Sequence, residues 1–167
     1  MKTHIYFDIG SSTLGRVLVA TNDKGVCAIF MADTDNALIA QLRERFPEAG
    51  LVPDPRRLAR ALPRVIGFIE SPTGELELPL DPSGTDFQRR VWRALTKIPA
   101  GTTASYADIA RWIDQPRSVR AVAQACGANP LALAIPCHRV VRSDGALSGY
   151  RWGTTRKRAL LEREAAQ

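Results

Sequence analysis

Apolar positions run in two rhythms along this chain. In the first third, short β-rich runs (Ile5-Tyr6-Phe7, Arg16-Val17-Leu18-Val19-Ala20 and Val26-Cys27-Ala28-Ile29-Phe30) are separated by Gly10-Ser11-Ser12 and Asn22-Asp23-Lys24-Gly25. β-branched and aromatic runs bounded by such turn residues predict a three-stranded antiparallel meander. The rhythm then lengthens: Leu38, Ile39, Leu42 and Phe46 recur at three- and four-residue steps, which predicts a helix over 37–46. A second helix is expected over 56–70, weakened near its middle by Pro63. Leu76-Glu77-Leu78-Pro79-Leu80 alternates as a short strand does.

Asp81-Pro82-Ser83-Gly84 is the strongest break, and the pattern beyond it is helical. Thr85 can cap a helix to about Lys97 that buries Phe87, Val91, Trp92 and Leu95, with Pro99-Ala100-Gly101 ending it. Ser105 opens a helix over 106–113, and Gln115-Pro116-Arg117 turns the chain into another, capped by Ser118 and ending at Gly127. Two short helices joined by a tight turn, with Arg117 and Arg120 at the second, suit a helix-turn-helix, although such pairs occur in many small α domains. After Asn129-Pro130 come the run Ile135-Pro136-Cys137-His138-Arg139-Val140-Val141, a hairpin signal at Ser143-Asp144-Gly145, and a closing helix over 156–165. The expected architecture is α/β. A domain over 1–82 holds the three-stranded sheet and its helices, and a mostly helical domain follows over 83–167.

Composition adds bounds. The 167 residues, 45% hydrophobic and 24% charged, are enough to bury the core of one domain or two small ones. No apolar run approaches the roughly 20 residues that span a bilayer. The start, MKTHIYFDIG, lacks the layout of a secretory signal, so a cytoplasmic protein without a membrane partner is expected. Charge divides sharply: residues 1–83 hold 9 Lys and Arg against 11 Asp and Glu, residues 84–167 hold 14 against 6. A basic second half attracts polyanions such as a phosphate backbone, although a solvated basic face without a partner has the same composition.

Cys137 and His138 pose the chemical question. Three scattered cysteines make no disulfide framework, and with His4 and His138 the only histidines a zinc site would need carboxylates, so no metal is expected. A thiol attacks as its thiolate and needs a base or cation to hold that form. Adjacency does not ensure contact, because neighbours on an extended segment face opposite ways, but Pro136 can bend the segment. The imidazole would need a carboxylate or a carbonyl to fix its tautomer, and Glu162 and Glu164 on the last helix are the nearby candidates. Residue types alone favour a plain core thiol at Cys137, as at Cys27 and Cys126, and leave the nucleophile open. His4 reads as a surface residue.

The run over 135–141, followed by Ser148-Gly149-Tyr150-Arg151-Trp152-Gly153, resembles the active-site signature of the O6-alkylguanine-DNA alkyltransferases. Further matches are Phe87-Gln88, Val91-Trp92, Ile98-Pro99, Gly101, Ser105-Tyr106, Arg120-Ala121-Val122, Asn129-Pro130 and Leu160-Leu161-Glu162-Arg163-Glu164. The likeness covers about residues 84–165, is looser before them, and is nearest to the methyltransferase half of bacterial Ada proteins. It implies an RNase H-like first domain and a winged-helix-like second one. It further implies a monomer that binds double-stranded DNA from the minor groove through the helix-turn-helix and associates with the nucleoid when bound. The damaged guanine is turned out of the stack, and its O6-alkyl group moves onto the protein's own cysteine, once, without a cofactor.

Residue by residue, the resemblance makes Cys137 the acceptor, His138 the base acting through a water, and Glu164 the carboxylate that orients His138. Asn129 organises the turn before the thiol. Arg120 enters the duplex in place of the extruded nucleotide, where a planar guanidinium serves better than an ammonium. Tyr106 helps rotate the nucleotide and supplies a proton, while Arg117 and Ser118 contact DNA. Val140 and Tyr150 line the base pocket. Arg151, where several relatives have serine, implies a bulkier and more basic rim. The cysteine and histidine set with which some relatives bind zinc in the first domain is missing, as is the upstream regulatory half of Ada proteins, so the expectation is repair without a transcriptional role. Three rivals compete: a protein that marks alkylated bases without repairing them, a Cys-His hydrolase, and a sequence-specific DNA-binding regulator. Relatives of the first kind replace the cysteine, which is present here; the second needs no DNA and turns over repeatedly.

Overall fold

The computed structural model describes residues 3–147 and 149–167; Ser148 of the expected signature lies outside the described residues. Strands β1 (His4–Ser12), β2 (Gly15–Thr21) and β3 (Val26–Ala32) pair antiparallel in chain order, as the alternating runs predict. Asn22 closes the second turn, its Oδ1 accepting from the N–H groups of Lys24 and Gly25 at 2.8 and 3.0 Å. Helix α1 (Asp35–Arg45) follows, with the Thr34 hydroxyl capping the Ala37 N–H, and packs on β2 and β3.

A fourth strand, β4 (Gly50–Pro53), joins β1 in parallel, giving the order β3-β2-β1-β4. Four residues ending in proline are too short for a periodic signal, and Pro53 is tolerated because β4 is an edge. Helix α2 (Ala61–Glu70) begins later than expected, because residues 55–60 form turns. Pro63 therefore sits in the first helical turn, where its missing N–H would have had no intrahelical partner, and does not weaken the middle. The expected strand over 76–80 is absent. Pro79 offers a carbonyl to the Val26 N–H at 2.7 Å but has no N–H to return, so only Leu80 bridges to Val26.

Helix α3 (Asp86–Leu95) starts in a reciprocal capping box between Thr85 and Gln88 and buries Val91, Trp92 and Leu95; Phe87 is only half-buried. Two residues of β5 (Ala104–Ser105) precede α4 (Tyr106–Trp112), which is capped by Ser105 with Asp108, and α5 (Val119–Gly127). Ser118 does not cap α5: its hydroxyl donates to Gln115 Oε1 instead. Trp92 Nε1 donates to the Ala125 carbonyl at 2.8 Å, tying α3 to α5. A 3₁₀ turn (Cys137–Arg139) leads into β6 (Val140–Val141), which pairs in parallel with β5. The Asp144-Gly145 turn forms, with Gly145 at φ +83°, but no second hairpin strand follows it among the described residues. Parallel pairing with β5 has replaced the hairpin. Helix α6 (Thr154–Ala165) ends the fold, two residues longer at its start than expected.

The two halves meet around the segment that carries Asn129. Ile29 of β3 donates to the Pro130 carbonyl at 2.9 Å and accepts from the Ala132 N–H at 3.2 Å. Arg156 on α6 donates to the Leu14 carbonyl and to Asp33, and Arg163 to the Ile69 carbonyl. The sheet thus fixes both the loop before the thiol and the helix behind it. Among the described residues no helix is long and apolar enough to cross a membrane.

Candidate active site

The 3₁₀ turn that begins at Cys137 brings neighbours inward that an extended strand would send to opposite faces: Cys137, His138 and Arg139 are all buried. Helix α6 supplies the groups they meet. Lys157, Leu160 and Glu164 recur at steps of three and four and form its buried face. Among the described residues, the buried polar side chains are Asn129, His138, Arg139, Lys157 and Glu164. All five sit around this one turn, where they must satisfy one another.

They largely do. Glu164 Oε1 contacts His138 Nε2, and Oε2 accepts from Arg139 Nε at 2.7 Å and from the Gly101 N–H at 3.3 Å. Arg139 Nη1 donates to the Ile98 carbonyl at 2.8 Å. Asn129 spends its amide on three groups: Nδ2 donates to Cys137 Sγ at 3.2 Å and the Ile135 carbonyl at 2.8 Å, while Oδ1 accepts from the Leu131 N–H at 2.9 Å. Lys157 Nζ donates to the Val140 carbonyl. Two buried polar atoms have no hydrogen-bond partner among the described residues, His138 Nδ1 and the Tyr150 hydroxyl.

Burial sets the protonation states. It pushes the Cys137 thiol up to about 11, against the opposing pull of the Asn129 amide and the Lys157 charge. Burial also holds His138 below the ordinary imidazole value, although Glu164 pulls the other way. For Glu164, burial would raise the carboxyl, but His138 and Arg139 outweigh it and the net shift is downward. The resting site is therefore a neutral thiol, a neutral imidazole and an ionised carboxylate. That arrangement can move a proton from sulfur to imidazole and hold the resulting imidazolium.

Tyr106 at the start of α4 is half-buried, its phenol raised to about 12 by burial and then by the charges of Cys126 and Cys137. A Cβ on Gly149 would stand 3.8 Å from the Tyr106 hydroxyl, so the loop after the Gly145 turn closes over that ring. Tyr150 is buried edge-on against Trp152, ring centres 5.3 Å apart, and Val140 is fully buried. Arg151 turns away toward the sheet: its guanidinium lies 4.9 Å from the Phe30 ring centre, and Nη1 donates to the Asn129 carbonyl at 3.1 Å.

Arg117 and Arg120 are exposed and Ser118 is half-buried, so they stand outside the buried cluster on the helix pair. A cleft of about 370 Å³ is lined by Tyr106, Ala107, Val119, Arg142, Ser143 and Asp144, between the starts of α4 and α5 and the Asp144-Gly145 turn. A larger cavity of about 800 Å³ shares no residue with this cluster; Cys27, Arg45 and Asp81 line it in the sheet half. Among the described residues no three His, Cys, Asp or Glu side chains gather as a metal-binding group. Sequence reasoning missed Arg139 and Lys157. Lys157 was signalled, since it lies two helical turns before Glu164 and therefore on the same face; Arg139 carried no signal beyond its adjacency to His138.

Residues 86–166 match the family profile described as 6-O-methylguanine DNA methyltransferase, DNA binding domain. The chain is 53% identical over 151 residues to the regulatory protein Ada of Salmonella typhimurium, covering 90% of this chain but only 43% of that protein. It thus spans less than half the length of that relative. It is 39% identical to the inducible methylated-DNA–protein-cysteine methyltransferase of Bacillus subtilis, over 95% of this chain and 83% of the other. The solved structure of Mycobacterium tuberculosis OGT in complex with DNA superposes with a TM-score of 0.82 at 36% identity, covering 98% of this chain and 93% of that one.

Proposed function

The chain belongs to the 6-O-methylguanine DNA methyltransferase family, and we propose that it repairs duplex DNA by taking the alkyl group of O6-alkylguanine onto Cys137, once per molecule. The observation that carries this reading is the gathering of the buried polar side chains around the turn that begins at Cys137, with Asn129 on the sulfur, Glu164 on Nε2 of His138, and Nδ1 without a partner among the described residues. Nδ1 is the nitrogen that takes the thiol proton, through an intervening water. As it does so, the Sγ–carbon bond forms and the carbon–O6 bond breaks, its electron pair passing to the guanine. One proton returns to the base by way of Tyr106. The products are a thioether and an unmodified guanine, and no further reactant is required.

Reaching that carbon requires the nucleotide to leave the stack. The cleft lined by Tyr106 and Val119 supports this path, with Arg120 filling the gap in the duplex and Arg117 and Ser118 holding the backbone. Val140 and Tyr150 line the base site, and Arg151 borders it through Asn129. Residues 1–82 act as the scaffold domain and residues 83–167 as the DNA-binding and acceptor domain, a division supported by a family match that starts at residue 86. The protein works as a monomer in the cytoplasm, at the nucleoid when bound. Recognition without repair is disfavoured by the presence of the thiol itself, which the Asn129 amide holds at 3.2 Å.

Incubation with duplex DNA containing O6-methylguanine should add one methyl mass to the peptide containing Cys137, and Cys137→Ala should gain none while still binding DNA. A folded chain that never acquires this mass would refute the proposal.

A further inference from the structure

Among the described residues the buried charged groups are Arg139, Lys157 and Glu164, two cations and one anion. Glu164 is engaged with Arg139 and His138, and Lys157 brings a second buried cation to the cluster. Lysine is seldom fully buried without purpose, because its ammonium is strongly hydrated. Here it is placed with care: the Val140 N–H donates to the Cys137 carbonyl, closing the 3₁₀ turn, and the Val140 carbonyl accepts from Lys157 Nζ. The ammonium is thereby tied to the far end of the turn that begins at the thiol. Lys157 and Glu164 lie about 10 Å apart along α6, seven residues at roughly 1.5 Å each, so the helix presents a cation and an anion inward from one face.

We propose that Lys157 is a positioning residue for the transfer reaction: its buried ammonium is the counter-charge that lets Cys137 ionise in place. When His138 takes the thiol proton, the ammonium stabilises the thiolate. Lys157 keeps its own proton throughout, and alkylation of the sulfur removes the anion.

The other groups facing Cys137 do not replace it. Asn129 donates a neutral hydrogen bond; Cys126 on α5, Tyr106 on α4 and Tyr150 are all held in their neutral forms by burial. Arg151 contributes in the same direction but less than Lys157, and its guanidinium is drawn off to Phe30, Trp152 and the Asn129 carbonyl. Toward Lys157 itself face Cys137 and Cys126, and its charge also bears on His138.

Only the final, alkylated stage rests on the proposed function, so the test separates the two. Carbamidomethylation of Cys137 by iodoacetamide, read by mass spectrometry across a pH series, reports its ionisation without DNA. Lys157→Gln keeps a donor for the Val140 carbonyl and removes the charge; Lys157→Met removes both and is expected to fold, because methionine needs no counter-charge when buried. Both variants should react at least about tenfold more slowly at neutral pH, their profiles displaced upward by a unit or more. Lys157→Arg should recover part of the rate. A Lys157→Gln or folded Lys157→Met profile superimposable on that of the unmodified chain overturns the proposal. If instead the profile moves as expected and no variant or parent ever takes a methyl group from O6-methylguanine DNA, the ion pair stands and the transfer reading falls.

Discussion

The side-chain amide of Asn129 donates to the Cys137 sulfur at 3.2 Å, and the same amide bridges the Ile135 carbonyl and the Leu131 N–H. One side chain thus joins the loop leaving α5 to the nucleophile, while Ile29 of the sheet grips that loop from outside. Asn129→Ala should strand the Leu131 N–H in a buried setting, while the Ile135 carbonyl keeps the Cys137 N–H at 2.8 Å. At about 1–3 kcal/mol for an orphaned group, urea unfolding should show a loss of that size. The thiol should also alkylate more slowly with iodoacetamide, since its thiolate loses a donor. Asn129→Ala with unchanged stability and reactivity would remove Asn129 from the site.

Glu164→Gln tests the opposite end. The amide can still meet His138, but it no longer stabilises an imidazolium and leaves Arg139 buried beside a neutral group. Methyl transfer from duplex DNA should slow by about ten- to a hundredfold, within the range of lost acid–base assistance. Breaking the buried pair should cost about 3–5 kcal/mol of stability. DNA affinity should hardly change, because Glu164 is buried behind the thiol. Transfer at the parent rate would show that His138 works without its carboxylate.

How much of this was legible depended on the range of each signal. Cys137 and His138 are adjacent, yet adjacency predicted nothing about contact; the 3₁₀ turn that buries both has no periodicity to read. Glu164 and Lys157 lie 26 and 19 residues beyond His138 and reach the site only because α6 folds back on it through Arg156 and Arg163. Resemblance supplied Glu164, whereas Lys157 looked like one more basic residue in a basic tail. In the sheet half, strands with alternating runs were readable, and β4 was not, because four residues carry too little pattern. Ser118 had the composition of a cap, but the nearby Gln115 side chain took its hydroxyl. Such local competition is decided by geometry that composition does not encode.

Arg120 separates DNA handling from chemistry. It is exposed on α5, and no hydrogen bond or ion pair ties it to the fold among the described residues. Arg120→Ala should therefore alter stability by no more than about 0.5 kcal/mol. Repair of O6-methylguanine in duplex DNA should fall sharply, while transfer from the free base stays near the parent rate. Equal loss on both substrates would place the defect in the chemistry and not in nucleotide extrusion.

Acid stability offers a check that requires no DNA. Burial depresses His138, and its partners depress Glu164, so in both cases the unfolded chain binds protons more readily than the folded one. A depressed folded value gives stability that is present above the unfolded value and is lost as pH falls through the folded one. For His138 the loss begins near the ordinary imidazole value of about 6.5, and for Glu164 near the ordinary carboxylate value of about 4.3. Urea midpoints measured from about pH 7 down to about pH 2 should decline in two stages, the first from the histidine and the second from the carboxylate. His138→Gln should flatten the first stage without touching the second beyond the lost Glu164 contact. The same depression keeps the imidazole neutral, and so able to accept the thiol proton, somewhat below pH 6.5, so the acid limb of the transfer rate should lie below the normal histidine range. A midpoint that holds constant through the imidazole region, or rises as acid is added there, would mean that His138 is not held neutral by burial, and its role as the base at Cys137 would fail with it.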